Sequence, residues 1–189
     1  MRLTVATHNS HKLAEFARLL PGYELVPLPQ GSQAPLEDGA SFTENALIKA
    51  RAGAAISKGP TVADDSGISV ATLGGAPGIR SARWAGEEAD DSANLQLLID
   101  STEPGDSLKY ICVIAYCDPQ SGSEEVFEES CQGTRAALPR GSQGFGYDPA
   151  FEPAEFPDRT MAELSGEEKD QISHRGKAAR ALALWLGAR

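Results

Sequence analysis

The stretch that decides the fold is Thr61-Val62-Ala63-Asp64-Asp65-Ser66-Gly67. The apolar residues before the two carboxylates predict a buried strand that ends at Asp64 and Asp65, followed by a turn. Adjacent carboxylates repel each other, and they are costly to bury unless cations or hydrogen-bond donors lie close to them. Ligands of α/β proteins bind at strand ends. The stretch therefore predicts an acidic site at the end of a strand, where ligands bind if the protein is of the α/β class.

The composition predicts one soluble cytoplasmic domain, residues 1–189, with a sizeable core. The chain is 41% hydrophobic and 23% charged, with a net charge of −10, which argues against a broad basic surface for nucleic acid. An acidic protein that binds an anion needs a local cluster of Lys and Arg, or a metal. We expect no membrane segment, because no apolar run approaches the ~18 residues required, and no signal peptide. The three cysteines lack a CxxC pair and predict core thiols in a reducing compartment.

The N-terminal segment predicts a strand at 3–6, a polar turn at 7–12 and a helix capped by Asn9 or Ser10. The turn's free N–H groups and the first-turn Lys12 favour an anion, although an ordinary capped helix with an exposed lysine has the same pattern. The apolar face of this helix is predicted from the spacing i, i+3, i+4, i+7 of Leu13, Phe16, Ala17 and Leu20.

A second helix and its preceding loop supply acidic and basic candidates. The sequence 41–44, Ser-Phe-Thr-Glu, is a capping box that predicts a helix to about Lys58, with Lys49 projecting from it. The loop 29–40 carries Glu37 and Asp38. Because the cap accounts for Glu44, Glu37 is the better candidate for a metal ligand. Further strands are predicted at 23–28, 68–70, 108–117 and 124–131, and the glycine-rich stretch 74–84 predicts a shaped loop without a helix.

Two later segments have ligand-binding patterns. The loop 139–149, Pro-Arg-Gly-Ser-Gln-Gly-Phe-Gly-Tyr-Asp-Pro, places Phe145 and Tyr147 among glycines, which predicts a platform for stacking a base. A plain turn with one anchoring aromatic is the alternative. The last helix opens with His174 and Arg175, and cations at a helix N-terminus are disfavoured by the helix dipole. This mismatch indicates that the pair faces a ligand.

Taken in order, the motifs resemble the inosine/xanthosine triphosphate pyrophosphatase family, the non-canonical purine NTP pyrophosphatases, from residue 3 to about 186. The resemblance implies an α/β fold with a long mixed β-sheet flanked by helices, and two lobes with a central nucleotide-binding cleft, as in ITPase/Maf-like proteins. It also implies a homodimer that hydrolyses ITP, dITP and XTP to the monophosphate and pyrophosphate, which removes deaminated purines from the nucleotide pool. The motifs are 7–12, 42–50, 63–67, 74–79, 144–149, 167–169 and 173–176.

The family match also assigns residues. It implies that Asp65 is the proton acceptor and, with Glu37, a ligand of one Mg²⁺ per subunit; the separate role of Asp64 stays open. Lys12, Lys49 and Lys169 would meet the triphosphate, and the base would stack on Phe145. His8 is bulkier than the glycine common in relatives. The implied substrate-binding residues are Thr7, His8, Asn9, Ser10, His11, Lys12, Lys49, Ser66, Phe145, Gly146, Tyr147, Asp148, Lys169, His174 and Arg175, with the last two at the base edge.

Two other functions stay open at this point. A Maf-like pyrophosphatase would act on modified pyrimidine or ordinary nucleotides, and the motifs at 144–149 and 173–176 argue against it. A regulatory module would bind a nucleotide without turnover. The acidic pair and the lysines argue against that module, because binding alone needs no metal and base together.

Overall fold

The computed structural model describes residues 1–188 and has the predicted α/β architecture, with helices flanking a mixed six-stranded sheet. The strands are β1 (Arg2–Val5), β2 (Glu24–Pro27), β3 (Thr61–Val70), β4 (Ser107–Asp118), β5 (Ser123–Arg135) and β6 (Phe151–Pro153). The helices are α1 (Ser10–Leu19), α2 (Phe42–Ser57), α3 (Asp91–Ser101), α4 (Gly166–Ile172) and α5 (His174–Gly187). Within residues 1–188, no helix has both the length and the apolar character needed to cross a membrane.

The strand order is β2-β1-β3-β4-β5-β6. β1 is parallel to β2 and to β3, whereas β5 and β6 are antiparallel. In the register between β1 and β3, Val5 lies opposite Val62. Since β1 ends there and β3 continues, this register brings the turn that follows β1 level with Asp64.

The chain divides into two compact units, and β3, β4 and β5 contribute residues to both. Unit 1 comprises 1–65, 112–129 and 175–189, and unit 2 comprises 66–111 and 130–174. Unit 1 has two apolar clusters. One packs β1, β3 and β4 against α1 and α5, and the other packs the alternate residues of these strands against α2. Successive strand residues point to opposite faces, so Val62 belongs to the first cluster and Ala63 to the second.

α2 packs through a stripe of small residues. Ala46, Ala50 and Ala54 are buried, and a Cβ atom added at Gly53 would lie 2.6 Å from Cβ of Ala6. Close approach of this helix to the strands therefore depends on small side chains. The helix ends at Ser57, and its C-cap Lys58 takes the left-handed conformation (φ 59°) that is usual for glycine.

The prediction that a strand ends at Asp64 and Asp65 is wrong. β3 runs unbroken through both aspartates and through Ser66 and Gly67 to Val70. The carboxylates are accommodated within the strand because strand alternation directs them to opposite faces, where each meets cations.

Three smaller predictions also differ from the structure. Ala17 is exposed, and Glu15 is buried on the inner face of α1 instead. β5 extends to Arg135, four residues beyond the predicted end, because Gly133–Arg135 pair with β6. The glycine-rich loop after β3, for which we expect no helix, contains a 3₁₀ turn at Gly78–Arg83.

Gly67→Ala tests the tight contact that allows β3 to continue. The added Cβ would lie 2.4 Å from Oγ of Ser81 and 2.5 Å from the carbonyl oxygen of Gly78. We expect the free energy of unfolding to fall by about 2 kcal/mol in urea denaturation. Gly22→Ala is the control, since its Cβ would have no neighbour within 4 Å; equal stability of the two variants would contradict the argument.

Candidate active site

Strand alternation separates the two adjacent aspartates of β3 into two environments. Asp64 lies on the face of α1 and α5, and Asp65 lies on the face of α2. Both are buried, with 2% and 8% of their surfaces exposed. Two carboxylates with different partners can have different pKa values and hence different chemical roles.

Asp64 is surrounded by cations. Its Oδ2 lies 3.0 Å from Nζ of Lys12 and 2.8 Å from Nη2 of Arg175, whose Nε also donates to it at 3.2 Å. Arg175 is 2% exposed and donates through Nη1 to the buried Glu15. Oδ1 of Asp64 is buried and has no hydrogen-bond partner among residues 1–188.

These cations determine the charge of Asp64. Burial alone would raise the pKa of its carboxyl group, but Lys12 and Arg175 lower it far below its ordinary value. Asp64 is therefore a permanent anion at neutral pH, and it is unsuited to accept a proton.

The charge of Asp65 is neutralised by fewer neighbouring cations than the charge of Asp64. Its Oδ1 accepts from Nζ of Lys49 at 3.0 Å, and its Oδ2 accepts from Nδ2 of Asn45 at 3.2 Å. Asn45 and Lys49 are neighbours on one face of α2, four residues apart. Burial raises the pKa of Asp65 above its ordinary value, although Lys49 acts in the opposite direction. Of the two aspartates, Asp65 is therefore the one with the higher pKa and the better proton acceptor.

Glu37 joins the same cluster. Nζ of Lys49 lies 2.7 Å from Oε2 of Glu37 as well as 3.0 Å from Asp65, so one ammonium group bridges both carboxylates. Burial alone would lower the pKa of Lys49, but Asp65, Asp64 and Glu37 raise it overall. Lys49 is therefore a cation that holds the two carboxylates together.

The pair of carboxylates fits a divalent metal. Glu37 and Asp65 already bind a positive group between them, and Mg²⁺ commonly takes one or two carboxylates together with phosphate oxygens and waters. No group of three or more His, Cys, Asp or Glu side chains suited to a metal occurs within residues 1–188. A metal here would thus need oxygen ligands from the substrate and water.

The turn between β1 and α1 is closed by its own side chains. Oδ1 of Asn9 accepts from the N–H groups of His11 and Lys12, and Oγ1 of Thr7 accepts from the N–H of Asn9. The prediction that Asn9 caps the helix is confirmed. Nε2 of the exposed His8 lies 3.1 Å from the carbonyl oxygen of Ser32, in the loop that carries Glu37.

In unit 2 the structure groups Phe145, Asp148 and Lys169. Oδ2 of Asp148 accepts from Nζ of Lys169 at 2.7 Å and from the backbone N–H of Phe145 at 2.9 Å. Nζ of Lys169 lies 5.0 Å from the centre of the Phe145 ring. Lys169, predicted to meet the triphosphate, thus contacts the aromatic ring predicted to stack on the base.

The two aromatics of this loop have different surroundings. Tyr147 is 6% exposed, packs in the core of unit 2 and donates its hydroxyl to the carbonyl oxygen of Ser81 at 2.6 Å. Tyr147 thus anchors the loop in the core, immediately before the 3₁₀ turn Asp148–Ala150, as in the alternative of a turn with one anchoring aromatic. Phe145 is only half-buried.

The glycines on either side of Phe145 keep the loop compact. Gly144 has a φ of +75°, and a Cβ there would lie 2.0 Å from Oδ2 of Asp148, so this position requires glycine. The N–H of Gly146 donates to Oδ2 of Asp91 at 3.0 Å. The loop around Phe145 is thus fixed from two sides, by Asp148 and by Asp91.

The pair at the start of α5, which we expect to face a ligand, is buried. His174 is 5% exposed and stacks on Tyr110 in unit 2, with ring centres 4.6 Å apart and planes inclined by 8°. Arg175 makes its contacts with Asp64 and Glu15 in unit 1. Its role at a base edge stays a prediction. Ser66 continues β3 and is half-buried.

Sequence reasoning missed Glu15, Asn45 and Tyr110. Glu15 lies three residues after Lys12 on α1, and a charged residue beside Phe16 on the apolar face could have indicated a buried ion pair. Asn45 at the start of α2 and Tyr110 in the apolar run of β4 have no local sequence pattern that marks them as site residues.

The fold and the divided carboxylate pair define a class of nucleotide-processing α/β proteins. The chain belongs to the Ham1 family, whose model matches residues 3–185. The chain is 46% identical to the dITP/XTP pyrophosphatase of Corynebacterium efficiens, over 96% of this chain and 95% of that protein. A HAM1 protein from Coxiella burnetii has a similar structure, with a TM-score of 0.89 and 36% identity over 100% of both chains. A nucleoside-triphosphatase, dITP/XTP pyrophosphatase, from Mycobacterium abscessus matches with a TM-score of 0.72 and 44% identity over 96% of this chain and 97% of that one.

Asp64→Asn tests the buried ion-pair cluster. The variant leaves Lys12 and Arg175 with less negative charge to neutralise them, and we expect the free energy of unfolding at pH 7 to fall by about 3 kcal/mol. Urea denaturation in EDTA measures this loss. Asp100→Asn, which removes a carboxylate from the exposed face of α3, should change stability by less than about 0.5 kcal/mol.

Asp64→Asn also changes how the free energy of unfolding depends on pH. The folded-state pKa of Asp64 is depressed, so its stabilisation is complete above the unfolded-state pKa of about 3.9 and is lost as the pH falls toward the folded-state value. Below about pH 4 the wild type should therefore lose stability more steeply than Asp64→Asn. Parallel profiles for the two proteins would contradict a depressed pKa.

Proposed function

We propose that this chain is a nucleoside-triphosphate pyrophosphatase that hydrolyses ITP, dITP and XTP to the monophosphate and pyrophosphate. Membership of the Ham1 family and similarity to dITP/XTP pyrophosphatases over nearly the full length support this proposal. The single observation on which the proposal rests is the position of Nζ of Lys49, which lies 2.7 Å from Glu37 and 3.0 Å from Asp65. Such a cluster combines a proton acceptor, a phosphate-binding cation and two candidate metal ligands.

Asp65 accepts the proton of the attacking water in this mechanism. Its burial and raised pKa support that role, because a general base works best when its pKa lies nearer the operating pH. Asn45 and Lys49 fix the two carboxylate oxygens. Water attacks the α-phosphorus and pyrophosphate leaves. Asp64 stays ionised and orients its cationic neighbours.

Lys12 and Lys49 bind the triphosphate, together with the turn 7–12. Each lysine is already held by a carboxylate, Asp64 or Asp65, so neither needs to be ordered by the substrate. Phosphoryl transfer depends mainly on positioning and on neutralising phosphate charge. The half-buried Ser66 adds a hydroxyl donor beside Asp65.

Glu37 and Asp65 would hold one Mg²⁺. Such an ion neutralises phosphate oxygens during transfer. The sparse protein ligand set leaves the remaining coordination positions for phosphate and water.

The purine stacks on Phe145, with Lys169 and His174 as donors near its edge. Lys169 lies against the Phe145 ring, which supports a donor beside a stacked base. Hypoxanthine and xanthine carry a 6-oxo acceptor, whereas adenine presents a 6-amino donor. A donor left unpaired in a buried site costs about 1–3 kcal/mol, which disfavours ATP. Arg175 is committed to two carboxylates, so its contacts favour a role through Asp64 over one at the base.

We propose further that residues 1–189 act as one pyrophosphatase domain, as a homodimer in the cytoplasm. Three strands contribute to both compact units, which supports a single domain. Three buried free cysteines suit a reducing compartment.

A substrate panel tests the activity. Pyrophosphate release is measured from ITP, XTP, dITP, ATP and GTP, with Mg²⁺ and with EDTA. We expect rapid release from the three oxopurines, at least about tenfold faster than from ATP, and none in EDTA. Equal rates on all five substrates would favour the broader Maf-like activity, and no release from any would favour a binding module.

Asp65→Asn tests the proton acceptor. The near-isosteric amide cannot accept the proton, so we expect kcat for ITP to fall by about 10²–10⁴-fold, while the variant stays folded by circular dichroism. Asp100→Asn is the control for a simple change of charge. If Asp65→Asn kept a kcat near that of the wild type, Asp65 would not be the proton acceptor.

A further inference from the structure

Tyr110 is a buried residue of β4 at the centre of the polar network in unit 2. It is 6% exposed, and its ring lies parallel to the imidazole of His174 with centres 4.6 Å apart. On another side it packs against Phe151, with ring centres 4.5 Å apart. The His174 ring is therefore held in its plane by an aromatic that is itself fixed in the core.

The hydroxyl of Tyr110 reaches the carboxylate that organises the 144–149 loop. It donates to Oδ1 of Asp148 at 3.1 Å, while Oδ2 of Asp148 accepts from Lys169 and from the N–H of Phe145. Burial and the nearby Asp148 raise the pKa of Tyr110 well above its ordinary value, so the hydroxyl remains a donor. Asp148 is 3% exposed, and both of its oxygens have partners.

We propose that Tyr110 is a positioning residue for purine recognition: its ring sets the plane of His174, and its hydroxyl sets the Asp148 carboxylate that holds Lys169 and Phe145. The proposal rests on the proposed function, because it deepens the assignment of Phe145, Lys169 and His174 to the base. Through two separate contacts, one residue of the core connects the stacking surface to both edge donors.

The two contacts can be separated by mutation. Tyr110→Phe keeps the stacked ring and removes the bond to Asp148, which leaves Oδ1 of a buried carboxylate unsatisfied. Tyr110→Leu removes both, so the His174 ring loses its flat neighbour. Tyr116→Phe and Tyr116→Leu are matched controls, since Tyr116 is a buried tyrosine of the same strand that packs on Trp185 in unit 1.

The experiment measures pyrophosphate release from ITP and ATP with Mg²⁺, together with the melting temperature of each variant. For Tyr110→Phe we expect KM for ITP to rise about fivefold, the equivalent of one lost hydrogen bond, with kcat within about twofold. For Tyr110→Leu we expect a further rise in KM and an ITP-to-ATP ratio of kcat/KM reduced about tenfold. The Tyr116 variants should lower the melting temperature and leave KM and this ratio within about twofold.

A purely structural Tyr110 would give a different result. Both Tyr110 variants would then lower the melting temperature and the active fraction, with KM and the ITP-to-ATP ratio unchanged, as in the Tyr116 variants. That outcome would overturn the proposal while the wild type still hydrolysed ITP. A wild type that released no pyrophosphate from ITP would instead overturn the proposed function, and this inference with it.

Discussion

The structure depends on the neutralisation of two adjacent carboxylates in the middle of a buried strand. Asp64 and Asp65 would destabilise β3 if they shared one environment, since burial penalises each charge and the two repel. Strand alternation places them on opposite faces, and each face provides its own cations. The strand therefore continues through the acidic pair, and the pair gains two unequal pKa values from one short sequence.

This requirement explains where the helices carry their charges. α1 and α5 provide Lys12 and Arg175 near their N-terminal ends, where cations are disfavoured by the helix dipole. The buried Asp64 offsets that penalty, and Glu15 accepts from the third guanidinium nitrogen of Arg175, Nη1. α2 packs through alanines and glycine, so it lies close enough for Lys49 to reach the other aspartate. The packing of the helices thus determines which cations reach each aspartate.

The sequence predicted the elements well, because strand and helix periodicities, the Asn9 cap and the capping box at Ser41 are local signals. It also predicted an acidic cluster with nearby lysines. It did not predict that β3 would pass through the aspartates, since the cations that permit this come from helices distant in sequence. For the same reason the burial of Arg175 was missed: its partners lie 111 and 160 residues away, and a local dipole argument cannot detect them.

In unit 2 a single buried carboxylate is likewise stabilised by the hydrogen-bond donors around it. Asp148 is almost fully buried, and it is tolerated because an ammonium, a phenol and a backbone N–H share its two oxygens. Each of these donors is fixed in return, so the carboxylate acts as a rigid connector between β4, α4 and the glycine-rich loop. Gly144 is needed because any side chain there would displace this connector. A loop whose glycines would otherwise make it flexible is therefore pre-organised by one buried charge, and pre-organisation of this kind lowers the entropic cost of binding a flat ligand.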